Sequence, residues 1–253
     1  MTIRGGEWYD HAEQRGGNAI SFLERYYNMS FPEAVQTLLG SDSRPAEIVP
    51  PKPKPFALPE ANSDMRRVFA YLTKTRGIDN RIISAFTHEK LIYEDAKYHN
   101  AVFVGRDECG KPVHAHARST NSKGKTFRIN MEGSDPRYSF HHLGTNGSLL
   151  VFEAPIDLLS HISLYPQNWQ ENSYVACCGT SIQPVLKTLE QMLQVDTVLL
   201  CLDNDEAGQK ANQRMSEQLE AEGLTVMSQI PKMKDWNDDL LTSQQHPVQF
   251  AGL

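Results

Sequence analysis

Five carboxylates stand where apolar runs end. Glu153 directly follows Leu149-Leu150-Val151-Phe152, and Asp157 comes four residues later, about one helical turn on. Asp203 and Asp205 follow the apolar run 195–202, and Asp235 follows the run 224–230 and a short loop. In an Asp-x-Asp at a strand end, alternate side chains share a direction. Two carboxylates aimed at one point repel unless a cation sits between them. No His or Cys ligand stands among the five, and oxygen-only donors select a hard ion, Mg²⁺ or Mn²⁺. Such an ion fills its remaining positions with phosphate and water, the arrangement that serves phosphoryl transfer. Asp203, Asp205, Asp157 and Asp235 are the candidate ligands, and Glu153 is either a further ligand or the general acid/base. The competing use is helix capping, because Asp203 or Asp205 stands at the start of a helical stretch over 205–222.

The elements that position these groups follow from periodicity. From 148 onward, strands and helices alternate: strand 149–152, helix 155–164, strand 174–177, helix 181–193, strand 195–202, helix 205–222, strand 224–230 and helix 236–241. That alternation predicts a parallel sheet with helices on both faces, in which ligands sit beyond the carboxyl ends of the strands. All five carboxylates fall at or near that edge. Upstream, strands over 100–105 and 112–118 flank the turn Asp107-Glu108-Cys109-Gly110, with a third strand around Phe127 and Ile129. Helices are expected from Asp64 to Thr75, stopped by Gly77, and from Asp79 to Phe86. Residues 17–39 read as two helices, the second capped by Ser30 with Glu33 three residues on. Six of the fourteen prolines lie in 41–60, which makes 41–62 an extended linker. The organisation expected is therefore 1–40, a linker over 41–62, a mixed α+β basic region over 63–147, and an α/β domain over 148–253.

Charge is distributed unevenly along the 253 residues. Residues 1–150 carry 20 of the 25 Lys+Arg and 17 of the 31 Asp+Glu, a net of +3, and 151–253 carry a net of −9. An acidic chain is a poor non-specific binder of nucleic acid, but halves of opposite sign suit a polyanion on one and metal cations on the other. Arg106, His114, Arg118, Lys123, Lys125, Arg128 and Arg137, interleaved with Phe127, Tyr138 and Phe140, suit a single strand of nucleic acid as well as a solvated surface. His114 and His116 share a strand face but lack a third ligand, so phosphate contact or plain surface is expected of them rather than a metal. Trp8 and Trp236 read as packing anchors, and Cys177, Cys178 and Cys201 as small core residues. With 40% apolar residues, a mean hydropathy of −0.48 and no apolar run of membrane-spanning length, no transmembrane helix is expected. The first residues lack an apolar leader core and no CxxC pair occurs, so a cytoplasmic protein with free thiols is expected.

Val151-Phe152-Glu153-Ala154-Pro155-Ile156-Asp157, Cys178-Gly179-Thr180-Ser181, Leu200-Cys201-Leu202-Asp203-Asn204-Asp205-Glu206-Ala207-Gly208 and Lys234-Asp235-Trp236-Asn237-Asp238 together resemble the TOPRIM domain of primases and topoisomerases, in the family's order, over roughly 145–245. Upstream, 100–107, 110–118 and Pro136-Arg137-Tyr138 are similar to the basic subdomain of the bacterial replicative primase. Trp8-Tyr9-Asp10-His11 and 16–22 are similar to the tail of that primase's zinc-binding domain. The whole chain resembles TOPRIM-containing primase-like proteins of bacterial mobile elements, with a DUF3991-type region over about 66–140. The resemblance implies Mg²⁺- or Mn²⁺-dependent nucleotidyl transfer on single-stranded DNA, with nucleotides as substrates and a replicative helicase or relaxase as partner.

Two departures from that pattern stand out. No cysteine precedes Cys109 and His11 alone makes no four-ligand site, so no zinc is expected; either the zinc module has lost its metal or the chain starts part-way into a longer protein. Asn237 stands where replicative primases commonly show an acid, with Asp238 or Asp239 as its possible substitute. A metal-dependent nuclease and a nucleic-acid-binding accessory module are the alternatives to primer synthesis. No tyrosine is placed to serve as a topoisomerase nucleophile.

Overall fold

A computed structural model describes residues 1–4, 7–10, 15–40, 55–121 and 126–245. His11, Lys123, Lys125 and most of the proline-rich stretch lie outside the described residues. Contacts divide the chain into two compact units, Met1–Lys52 and Pro53–Leu253.

The first unit is not purely helical, as its sequence suggested. An antiparallel sheet of β1 (Thr2–Arg4), β2 (Glu7–Asp10) and β3 (Arg15–Asn18) precedes α1 (Ala19–Tyr26) and α2 (Phe31–Leu39). Strands of three or four residues are too short to show alternation, which is why the sequence concealed them. Trp8 anchors the unit. Its indole N–H donates to Asn18 O at 3.1 Å, and its ring meets Tyr26 edge-on at 5.3 Å. Asn18 caps α1, accepting from the Ser21 N–H, and Glu33 of α2 accepts from the Ser30 N–H.

The second unit begins with α3 (Arg66–Ala70), which widens into a π-helical turn over Tyr71–Thr75 where the sequence suggested uninterrupted helix. Next come α4 (Asn80–His88), capped by Asp79, and an antiparallel sheet in the order β4 (Ile92–Glu94), β5 (Ala101–Arg106), β6 (Pro112–Arg118), β7 (Arg128–Asn130). Gly105 lets β5 pass under the segment after β7, since a Cβ there would lie 1.7 Å from Tyr138 O.

The second sheet runs in the order β12 (Thr225–Ser228), β11 (Thr197–Leu200), β9 (Ser148–Phe152), β10 (Ser173–Ala176), β8 (His141–His142). It is parallel except for β8. Its helices are α5 (Pro155–Leu164), α6 (Gln183–Gln191), α7 (Glu206–Ala221) and α8 (Trp236–Gln245). Alternation along β9 sorts them into two layers. Leu150 and Phe152 pack with α5, α8 and α4, and Leu149 and Val151 pack with α6 and α7. The first of these cores also takes in Phe103 of β5 and Phe140, so the antiparallel sheet and the parallel sheet share one interior. From β9 the chain moves to one neighbour, β10, then crosses back to the other, β11. The crevice beyond the carboxyl ends of β9 and β11 is therefore a topological switch point.

Candidate active site

The register brings the acidic motifs to that crevice. Leu200 pairs with Val151, so Glu153 and Asp203 leave adjacent strand ends. The Asp203 N–H donates to Glu153 Oε1 at 3.3 Å. Gly208, in the first turn of α7, permits this approach, because a Cβ there would lie 2.1 Å from Asp203 O and 2.8 Å from Glu153 Oε1. The loop carrying Asp235 is tied to the same edge by the Asn204 N–H, which donates to Lys234 O at 2.8 Å. Trp236 locks the start of α8, its indole N–H donating to Cys201 O at 2.9 Å. It is buried, as are Cys177 and Cys201, while Cys178 is half-buried.

The five carboxylates serve different purposes. Asp203 Oδ1 is buried and has no hydrogen-bond partner. Burial, then the charges of Glu153, Asp235 and Asp205, push its carboxyl up to about 7. Burial also raises Glu153, with Asp205 adding to the effect and the Asp203 N–H, Arg128 and Lys234 opposing it. Asp205 caps α7, its Oδ1 accepting from the Gly208 N–H at 3.0 Å. Asp235 accepts from the Asp238 N–H at 2.8 Å. Asp157 is buried inside α5, and its carboxyl stands well above the usual range because of burial and the charges of Asp203 and Asp235. It accepts from the Asn237 N–H at 3.3 Å.

Asn237 is a brace, 2% exposed. Its Nδ2 donates to Arg76 O at 2.7 Å and to Ser160 Oγ at 2.9 Å, and its Oδ1 accepts from Arg76 Nη1 at 3.1 Å. A carboxylate could accept from Arg76 but could not donate to the carbonyl. Asp239 does not replace the missing acid, because it is buried and both its oxygens accept from the N–H groups of Lys232 and Met233. Asp238 is raised by burial and by Asp235.

Of the basic candidates among the described residues, Arg128 is the one whose charge reaches the crevice, lowering both Glu153 and Asp203 from the exposed strand β7. Arg106 instead donates to Glu89 O at 3.0 Å. Arg118 keeps a buried, unpartnered Nε, and Arg137 pairs with Asp135 at 2.7 Å and lies over the Tyr138 ring. Surface contact by His114 is corrected by the fold. It is 1% exposed on β6, and burial lowers it to about 4, which leaves a neutral core side chain instead of a phosphate ligand. His116 is likewise buried and bonds Asn130 at 2.7 Å. Lys234 and Arg76 were missed as site residues. Lys234 had a signal, its place beside Asp235, whereas Arg76 reaches Asp157 and Asp238 from 161 residues before Asn237 and had none.

Among the described residues, no three His, Cys, Asp or Glu side chains are arranged to ligate one ion as they stand. The crevice nonetheless fits a hard divalent cation by its chemistry: an all-oxygen donor set, mutual repulsion among the acids, and the orphaned Asp203 Oδ1.

Residues 150–240 match the family model described as Toprim-like, and residues 70–146 match that of a protein of unknown function, DUF3991. A DUF3991 match is thus followed along the chain by a Toprim-like match, and the fold resembles that of primase catalytic cores. The primase fragment of the bacteriophage T7 primase-helicase protein superposes with a TM-score of 0.51 and 18% identity, over 69% of this chain and 71% of that one. The E. coli primase catalytic core gives 0.50 and 16% identity, over 71% of this chain and 69% of that one. An uncharacterized Bacillus anthracis protein, pXO2-78, is 27% identical over 92% of this chain and 75% of its own length. No helix among the described residues is long and apolar enough to cross a membrane.

Proposed function

We propose that this protein is a primase-like nucleotidyltransferase that synthesises a short primer from nucleotides on single-stranded DNA. The observation that carries this is the crevice itself: Glu153, Asp203, Asp205 and Asp235 at the switch point of a primase-type sheet, faced by Arg128 from the basic region. Asp203 and Asp235, with the free oxygen of Asp205, would hold Mg²⁺ or Mn²⁺. Bound there, the ion supplies charge neutralisation at the triphosphate. Asp157 stays behind this set as a buried support for the Asn237 brace, accepting from the Asn237 N–H.

Glu153 is the proton acceptor in this scheme. Its raised carboxyl takes the proton of the attacking hydroxyl as that oxygen bonds the α-phosphorus and pyrophosphate departs. Arg128 holds a phosphate of the template or the nucleotide near the acids. Replication of a mobile element and a helicase or relaxase partner belong to the same reading and rest on the family resemblance, while a cytoplasmic location rests on the cysteine usage and the N-terminal sequence. A primase-helicase is what the T7 relative is named.

The test is incubation with single-stranded DNA, labelled nucleotides and Mg²⁺ or Mn²⁺, resolved on a denaturing gel, with Asp203→Asn and Glu153→Gln alongside. New short oligomers that both substitutions abolish support the proposal. Shortened template identifies a nuclease, and an unchanged gel with retained DNA binding identifies an accessory module.

A further inference from the structure

A second concavity lies along α3 and its π-helical turn and is about 480 Å³ in volume. Arg67, Tyr71, Lys74 and Thr75 line it from one helix face, as residues spaced by three and four do. Thr120 and Asn121, just past the end of β6, line it from the other side. Tyr71 is 6% exposed and forms the floor. Its hydroxyl accepts from Arg76 Nε at 2.8 Å, and Arg76 is the residue that Asn237 clasps, so the concavity borders the brace behind the carboxylates.

The charge of this concavity is unbalanced. Arg66, Arg81 and Arg137 each fold back on an Asp two residues earlier. Arg67 and Lys74 are both exposed, and neither side chain pairs with a carboxylate among the described residues. Arg67 is held instead by neutral oxygens, its Nε donating to Thr120 Oγ1 at 3.0 Å and its Nη2 to Asn121 Oδ1 at 2.6 Å. Thr120 Oγ1 is itself fixed, donating to His99 O at 2.8 Å. The guanidinium is thereby pre-positioned, with Nη1 left for a ligand. Glu94 supplies no counter-charge to the open face. It is 2% exposed, its Oε2 accepts from the N–H groups of Arg67 and Val68, and its Oε1 meets Asn62 Nδ2 and His99 Nδ1. No Asp or Glu is among the residues lining the concavity. Two unpaired cations in one hollow select an anion, and the planar guanidinium suits the oxygens of phosphate or carboxylate.

Position decides which anion. Arg118 pairs with Arg128 in the ladder of β6 and β7, which runs on through the Ser119 N–H to Phe127 O at 3.0 Å. Thr120 follows, so at about 3.3 Å per residue and 4.8 Å per strand the concavity lies on the order of 10 Å from Arg128. One strand of nucleic acid carries a phosphate every ~3.4 Å of its axis, so about three phosphates cross that gap. Arg67 and Lys74 stand two helical turns apart, about 10 Å, a span that suits successive phosphates of one chain. We infer that the concavity binds backbone phosphates of a single nucleic-acid strand continuing from Arg128, without a metal ion and without reading base sequence. The inference deepens the proposed function and takes from that reading only the strand as the polyanion.

Fluorescence anisotropy of labelled oligo(dT) with the full chain in EDTA, across a range of KCl, tests this. Arg67→Gln and Lys74→Gln each remove one contact, whereas Arg81→Gln removes an equal charge already paired with Asp79. The slope of log K against log salt should fall by about 0.7 for Arg67→Gln or Lys74→Gln and by about 1.4 for the two together, with binding about fivefold weaker per substitution at about 0.1 M salt. Oligo(dA) should lose as much as oligo(dT), and Arg81→Gln should leave the slope unchanged. An unmoved slope with Arg67→Gln and Lys74→Gln, an equal fall with Arg81→Gln, or a parent that does not bind oligo(dT) overturns the inference. So does ATP binding that both substitutions weaken while the oligo(dT) slope holds, which would give the concavity to free nucleotide. Primer synthesis is read separately, since a gel without new oligomers ends the primase reading and leaves a salt-sensitive strand contact standing. Should Arg67→Gln fail to fold, Lys74→Gln decides.

Discussion

Replacing Asp203 by Asn should make the metal-free protein more stable. In the folded state the Asp203 carboxyl stands at about 7 instead of 3.8, because burial and three neighbouring carboxylates oppose its charge. Roughly three units correspond to about 4 kcal/mol, and discounting for the half-exposed position leaves about 2 kcal/mol. The unfolded chain loses this proton first, so stability falls as pH rises from 3.8 to about 7, and the penalty is whole above that. In EDTA at pH 8, Asp203→Asn should raise the Tm by about 4–8 °C for a unit of this size. At pH 5, where the native Asp203 is already protonated, most of the gain should vanish. Adding Mg²⁺ should then raise the Tm of the unsubstituted protein and leave the variant unmoved. Differential scanning calorimetry across pH 5–8 makes the measurement. A variant that melts at or below the parent at pH 8, or gains as much at pH 5, refutes the electrostatic account of the crevice.

Gly208→Ala should cost about 1–3 kcal/mol and abolish primer synthesis, because its Cβ would collide with Asp203 O and crowd Glu153 Oε1; urea denaturation and the gel assay check both parts. Asn237→Asp should destabilise by about 2–4 kcal/mol, since it loses both donations from Nδ2 and adds a carboxylate beside buried Asp157; a variant as stable as the parent in urea would dismiss the brace. His114 and His161 both stand at about 4 in the fold, below the ordinary 6.5, so their neutral burial contributes stability that is lost as pH falls from 6.5 toward 4. At pH 5 each should cost about 2 kcal/mol relative to pH 7, and His161→Phe should remove about half of the combined acid sensitivity in paired urea melts.

What the sequence by itself determined is whatever local periodicity encodes. The βαβα alternation after residue 148, the hairpin around 107–110 and the acids at strand ends are properties of short windows, and the structure shows them with boundaries shifted by a few residues. The resemblance to Toprim-type primases is carried by the same short motifs and agrees with the family matches and the fold. Local pattern does not fix what packs against a side chain once it leaves its own element. Only the tertiary structure decided that Asp205 and Asp239 bond backbone N–H groups while Asp203 keeps a bare oxygen. The fold alone set His114 in the core and Asp157 behind the edge. It also brought Arg128 to the acids and made Asn237 a clasp on Arg76. The physical reason is common to all of these. Hydrogen-bond satisfaction and desolvation depend on every group within a few ångströms, and those groups come from strands and turns far apart in the chain.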